Sequence, residues 1–138
     1  MLFREANGRQ AVAQVQAFED FWHWEDAAPA YFEVVRQAPR EVAKLLAALH
    51  DFLGQNDMMA YLAMMAIRLV ELRRVLKPTG GIYLHCDAVA AHYLKLVMDA
   101  VFGPENLRNE IIWRRTGANK ATHRFGPIHQ TVLFYGRG

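Results

Sequence analysis

The chain has one cysteine, Cys86, among 138 residues, so no internal disulfide is open to it and a reducing compartment is expected. It also lacks a long apolar run. The longest, Met58 to Ile67, has ten residues and is closed by Arg68, about half of what a bilayer crossing requires. No N-terminal stretch has the apolar core of a signal peptide. These absences predict a cytoplasmic protein with no membrane partner. The five prolines never stand side by side. Acidic residues are missing after Glu110, whereas Arg114, Arg115, Lys120, Arg124 and Arg137 follow it.

That last absence skews the charge. Residues 1–57 carry five Lys/Arg against nine Asp/Glu and residues 58–138 eleven against five, so the halves stand at −4 and +6. A polyanion is drawn to the C-terminal third, and nucleic acid is the natural candidate. The alternative is a basic loop neutralised by the acidic half or by a neighbouring domain. With 53% hydrophobic residues the chain is the size of one domain with a sizeable core.

The richest stretch runs from Leu72 to Asp87. Pro78 ends a helix, Thr79-Gly80-Gly81 turns the chain, and Ile82-Tyr83-Leu84 starts a strand that finishes in His85-Cys86-Asp87. Beyond the carboxyl ends of parallel strands is where ligands meet open α/β sheets, which makes those three residues a candidate strand-end pocket. Upstream, residues 1–16 show no sustained period and read as an extended lead-in, and Phe18 to Trp24 packs four aromatics into seven residues. Helical patterns cover Pro29–Gln37, Pro39–Leu53 with Gly54 as terminator, and Met58–Leu76 capped by Asn56 or Asp57. Asp87 is placed to cap a further helix carrying Val89, Tyr93, Val97 and Val101, which Gly103-Pro104 stops. Strands are expected over Asn109–Arg114 and Gln130–Tyr135, paired around a basic loop. Residues 1–57 thus form a helical, aromatic lead-in, and residues 58–138 a helix-strand-helix-strand-loop-strand unit of an α/β fold.

In that loop Arg114, Arg115, Asn119, Lys120, His123 and Arg124 stand between Trp113 and Phe125, a mixture suited to phosphate contact and base stacking. An ordinary solvated loop is the other reading. His85, Cys86 and Asp87 with His92 lack the ligand spacing of a metal site, and Cys86 lacks a positioned base, so their expected role is structural: a buried thiol and a helix cap. The Met-rich helix reads as core, with a dimer or interdomain surface as the second reading.

Several pieces together resemble the site-specific DNA methyltransferases that modify exocyclic amino groups, in the subgroup whose catalytic motif precedes the cofactor motif. They are Met58 to Met65, Arg74-Val-Leu-Lys-Pro-Thr-Gly80, Tyr83-Leu-His-Cys-Asp87 with His92-Tyr-Leu-Lys95, and Phe102-Gly-Pro-Glu-Asn106. Asn109-Glu-Ile-Ile-Trp113, Arg124-Phe-Gly126 and His129-Gln-Thr-Val-Leu-Phe-Tyr135 continue the likeness. Where the family commonly has Pro and Ser, this chain has Ala88 and Ala91.

The resemblance implies a partial Rossmann-like methyltransferase sheet, DNA as partner, a restriction-modification setting, and S-adenosylmethionine as methyl donor in the intact enzyme. It also implies that the strand end borders the target-base pocket. The family's Asp-Pro-Pro-Tyr motif has no counterpart here. Phe134-Tyr-Gly136-Arg-Gly138 spells the cofactor motif Phe-x-Gly-x-Gly, yet its position matches the family's last catalytic-domain strand. The chain therefore resembles an internal slice of the catalytic domain, with no catalytic residue of its own, no tight cofactor binding alone, and a tendency to self-associate or to pair with the remainder of the enzyme. The rival reading is a non-enzymatic DNA-binding or assembly module. A second chain supplying the missing motifs is a third.

Overall fold

A computed structural model of the chain describes residues 23–115, 123, 125, 126 and 128–138. The residues Phe18, Phe21, Trp22, Asn119, Lys120 and Arg124 named above lie outside them. Three helices come first: α1 (Trp24–Gln37), α2 (Arg40–Leu53) and α3 (Asp57–Val75). α1 begins five residues before the expected Pro29. Glu25 and Asp26 occupy its first turn, where carboxylates favour the positive end of a helix, and Pro29 is carried inside on an exposed position. Pro39 then separates α1 from α2 by holding Ala38 extended at φ −71° and ψ 163°. Gly54, at φ 77°, supplies the left-handed turn that ends α2.

Asn56 rather than Asp57 caps α3: its Oδ1 accepts from the Met59 amide at 2.9 Å while its Nδ2 donates to the Leu53 carbonyl at 3.1 Å. One side chain thereby ties the end of α2 to the start of α3. The first half of α3 buries Met59, Ala60, Leu62, Ala63 and Ala66. This near all-round burial follows from its neighbours, because α1, α2 and α4 all pack against it.

β1 (Gly81–Cys86), α4 (Ala91–Phe102), a 3-10 turn (Pro104–Asn106), β2 (Leu107–Arg114) and β3 (His129–Gly136) complete the chain. The sheet order is β1-β3-β2, with both pairings antiparallel. The expectation that β1 ends among parallel neighbours is thus corrected. β1 and β2 do run the same way, but β3 returns between them, so among the described residues no two hydrogen-bonded strands are parallel. The β2–β3 pairing around the basic connection is as expected. The buried stripe of α4 is Ala91, Leu94, Val97, Met98 and Phe102. Val89 precedes the helix in an exposed turn, so the four-residue spacing read in the sequence misplaced this stripe by about a quarter turn.

α4 covers one sheet face, where Ile82, Leu84 and Cys86 of β1 pair with Tyr135, Leu133 and Thr131 of β3. The Tyr135 hydroxyl donates to Asp99 Oδ1 at 2.6 Å, and Lys95 Nζ donates to Asp99 Oδ2 at 2.6 Å. On the other face Tyr83 and Phe134 stack with ring centroids 4.3 Å apart and planes 2° from parallel. Gly81 makes room for that stack, since a Cβ there would stand 2.8 Å from the Phe134 ring.

Candidate nucleic-acid interface

The register brings Arg114 and Arg115, of the one sequence-predicted group, to the same end of the sheet as His85, Cys86 and Asp87, the other. Cys86 pairs with Thr131, Trp113 with Gln130 and Arg114 with His129. Strand spacing puts β1 and β2 about 10 Å apart there, with the first residues of β3 between them. The Arg115 amide donates to the Ile128 carbonyl at 2.6 Å and extends the ladder one step beyond Arg114. Trp113 (63% exposed), Arg114 and Arg115 all face solvent at this end, and so does His123 in the connection. The basic arm therefore has a rigid stem.

His85, Cys86 and Asp87 share the strand end but do not converge on one cavity. His85 lies on the open face, its Nε2 2.5 Å from Gln130 Oε1. Cys86 points inward at 2% exposure, and burial first, then the Asp87 carboxylate, pushes its thiol up to about 11. A thiol held protonated in this way is no nucleophile at neutral pH. Asp87 Oδ1 accepts from the Val89 amide at 3.0 Å and the Ala90 amide at 2.8 Å, so it caps the turn that opens α4. Among the described residues no group of three or more His, Cys, Asp or Glu is placed to hold a metal ion.

Sequence reasoning missed Tyr61. It reaches this corner from α3, where burial, then Cys86 and Asp87, raise its phenol above the ordinary range. The available signal was its hydroxyl in the otherwise apolar run Met58 to Ile67. It also missed the anchor of Asp99 by Lys95 and Tyr135. Burial, followed by the bond to Asp99, raises the Tyr135 phenol far above its usual range.

Phe134, Tyr135 and Gly136 belong to β3, Tyr135 is 0% exposed, and the Arg137 amide donates to the Gly80 carbonyl at 3.0 Å. The first three residues of the Phe-x-Gly-x-Gly spelling are thus strand.

The chain belongs to the DNA methylase family, whose sequence model matches residues 14–138. Among curated proteins it is 32% identical over 80 residues to the type II methyltransferase M.EcaI of Enterobacter cloacae, covering 57% of this chain and 18% of that protein. It is 33% identical over 91 residues to the StyLTI Mod subunit of a type III restriction-modification enzyme from Salmonella typhimurium, covering 63% of this chain and 14% of that one. The type II methyltransferase M.KpnI of Klebsiella pneumoniae is 32% identical over 89 residues, 63% of this chain and 21% of the relative. The chain therefore spans between 14% and 21% of the length of the curated relatives it matches.

Proposed function

We propose that these residues are the DNA-contacting part of a methyltransferase that moves a methyl group from S-adenosylmethionine to an exocyclic amino nitrogen of adenine or cytosine. The observation that carries this reading is the convergence of Trp113, Arg114 and Arg115 with the Asp87 strand end at one end of the sheet. An exocyclic amino lone pair is delocalised into its ring, so such an enzyme has to extract the base and orient its nitrogen. Cations fixed on a β-ladder hold the phosphates while that happens. The loop residues Asn119, Lys120, His123 and Arg124 join this contact, and the strand end His85-Cys86-Asp87 borders the target base in the intact enzyme. The chain contains no Asp-Pro-Pro-Tyr, so residues 1–138 alone do not turn over.

Transfer of a labelled methyl group to DNA tests this. The isolated chain is expected to transfer none yet to bind duplex DNA with a steep salt dependence. Transfer by the chain alone, or no duplex binding at low salt, overturns the reading.

A second reading is favoured by the open sheet face, where Tyr83 is 64% exposed beside half-buried Phe134, and Ile111 and Trp113 also reach solvent. Such a face suits assembly, with a second copy or with the rest of the enzyme. Sedimentation at rising concentration decides it, since a monodisperse monomer throughout excludes self-association.

A further inference from the structure

Among the described strands β2 lies at the outside of the sheet, and every residue from Arg108 to Arg114 is exposed. The outward edge of such a strand is a row of peptide groups ready to pair with another chain. We propose that β2 pairs antiparallel with β2 of a second copy about a two-fold axis at Ile112, an inference that rests on the assembly reading given above and assigns the contact to this edge instead of the open sheet face.

The backbone sets the register. The Arg115 amide bonds to Ile128 beside β3, and the pairing of β2 with β3 is unbroken from Asn109 to Arg114. Peptide groups alternate in direction along an antiparallel strand, so those of Trp113 and Ile111 also face β3 while those of Glu110, Ile112 and Arg114 face outward. Two copies of one strand meet antiparallel only with the axis through a residue, because the groups of neighbouring residues point opposite ways. With the axis at Ile112 the outward residues pair among themselves: Ile112 with its own copy, Glu110 with Arg114, and Arg114 with Glu110. Each pair exchanges both of its N–H···O bonds, and no outward group of the three is left over.

The side chains select the same axis. Among the described residues neither Glu110 nor Arg114 has an ion-pair partner, and this register sets each against the opposite charge of the other copy. On the open face it brings Ile111 against Trp113 at the closer, non-hydrogen-bonded spacing. Ile112, 57% exposed in the single chain, is covered at the axis. The neighbouring axes fail. At Ile111 they oppose Arg108 to Arg114, at Glu110 the carboxylate to itself, and at Trp113 the apolar Ile111 to Arg115. An axis at Asn109 crosses the irregularity between Leu107 and Asn109. A guanidinium has more N–H donors than one carboxylate uses, so Arg114 paired in this way keeps donors for a phosphate.

Sedimentation equilibrium of the full chain is expected to show a monomer in exchange with a dimer. Glu110→Arg and Arg114→Glu each set like charges opposite one another and are expected to weaken the dimer by about ten- to a hundredfold. Mixed in equal amounts, the two variants are expected to associate as tightly as wild type, because every Glu–Arg pair is then restored; chains that had failed to fold would not rescue each other. Ile112→Cys is expected to give a disulfide-linked dimer under mild oxidation, since Cα atoms paired across the axis stand about 5.5 Å apart. Ile111→Cys, which faces Trp113, is not, and Cys86 is too buried to compete. A wild-type chain that stays monomeric at every concentration overturns both this inference and the assembly reading. If it dimerises and neither charge variant shifts the equilibrium, the edge is wrong and assembly through the open face stands. Linkage of Ile111→Cys in place of Ile112→Cys overturns the axis.

Discussion

The Tyr135 hydroxyl and Asp99 Oδ1 meet at 2.6 Å, joining the central strand β3 to α4 across 36 residues of sequence. Tyr135 is fully buried, so this bond fastens the sheet to its covering helix from within. Tyr135→Phe removes it at nearly constant volume and is expected to cost about 1–2 kcal/mol. Asp99→Ala costs more, because the phenol is then left buried without its acceptor. Urea unfolding of the two variants beside wild type checks the order.

Alkaline pH should loosen the other end of the sheet, at Cys86. The Cys86 thiol is raised from 9.0 to about 11 in the folded chain, so between those values the folded state holds a proton that the unfolded state has released. Its contribution is fully present below pH 9 and declines as pH rises toward 11. Unfolding free energy measured across this window is expected to fall, and to fall less steeply in Cys86→Ala. Equal slopes for the two proteins would show that the thiol does not couple to folding.

Asn56 serves two helices through one amide. Asn56→Ala is expected to destabilise the chain by about 1–2 kcal/mol. Asn56→Asp keeps the acceptor for the Met59 amide but loses the donor to Leu53, and should fall between the two. Thermal melts ranked in that order support the double role, and an aspartate as good as asparagine removes the Leu53 half of it.

Gly81→Ala places a methyl group 2.8 Å from the Phe134 ring, so the ring has to leave its parallel position over Tyr83. A cost of about 1–3 kcal/mol is expected, with a change in the near-ultraviolet dichroism of the aromatic pair. An unchanged spectrum would show that the ring yields without leaving the stack.

For the hairpin, each of Arg114→Ala and Arg115→Ala is expected to reduce the slope of log affinity against log salt by about 0.9 on duplex DNA. Lys95→Ala, whose side chain pairs with Asp99, should leave that slope alone. A slope unmoved by the arginine variants would place the phosphate contacts elsewhere on the chain.

Local signals proved reliable where the physics is local. Gly54 after an apolar run and Asp87 at a strand end each act within three or four residues of chain and were readable in advance, as was the α3 cap up to the choice between Asn56 and Asp57. Pro29 misled because proline is a usual helix opener, whereas the acidic Glu25 and Asp26 had already started the helix. The sheet order was beyond local reading: β3 enters between β1 and β2 through pairings such as His85 with Val132 and Ile111 with Val132, which no local pattern announces. Tyr61 and the Lys95–Asp99–Tyr135 anchor were hidden for the same reason, since each depends on elements that meet only after folding. The residues of the two candidate groups could be named from the sequence one by one. Their shared position could not, because it follows from the antiparallel register.

The placement of β3 also orders events in time. It is the last of the three strands to leave the ribosome and the one that the other two require. With 45 residues between His85 and Gln130, β1 waits about 2–9 s for its partner at ordinary rates of synthesis. Until then β1 and β2 have no neighbour among the described strands to complete their ladders. The helices α2 and α3, made before it, pack on α4, the helix that this delayed sheet joins.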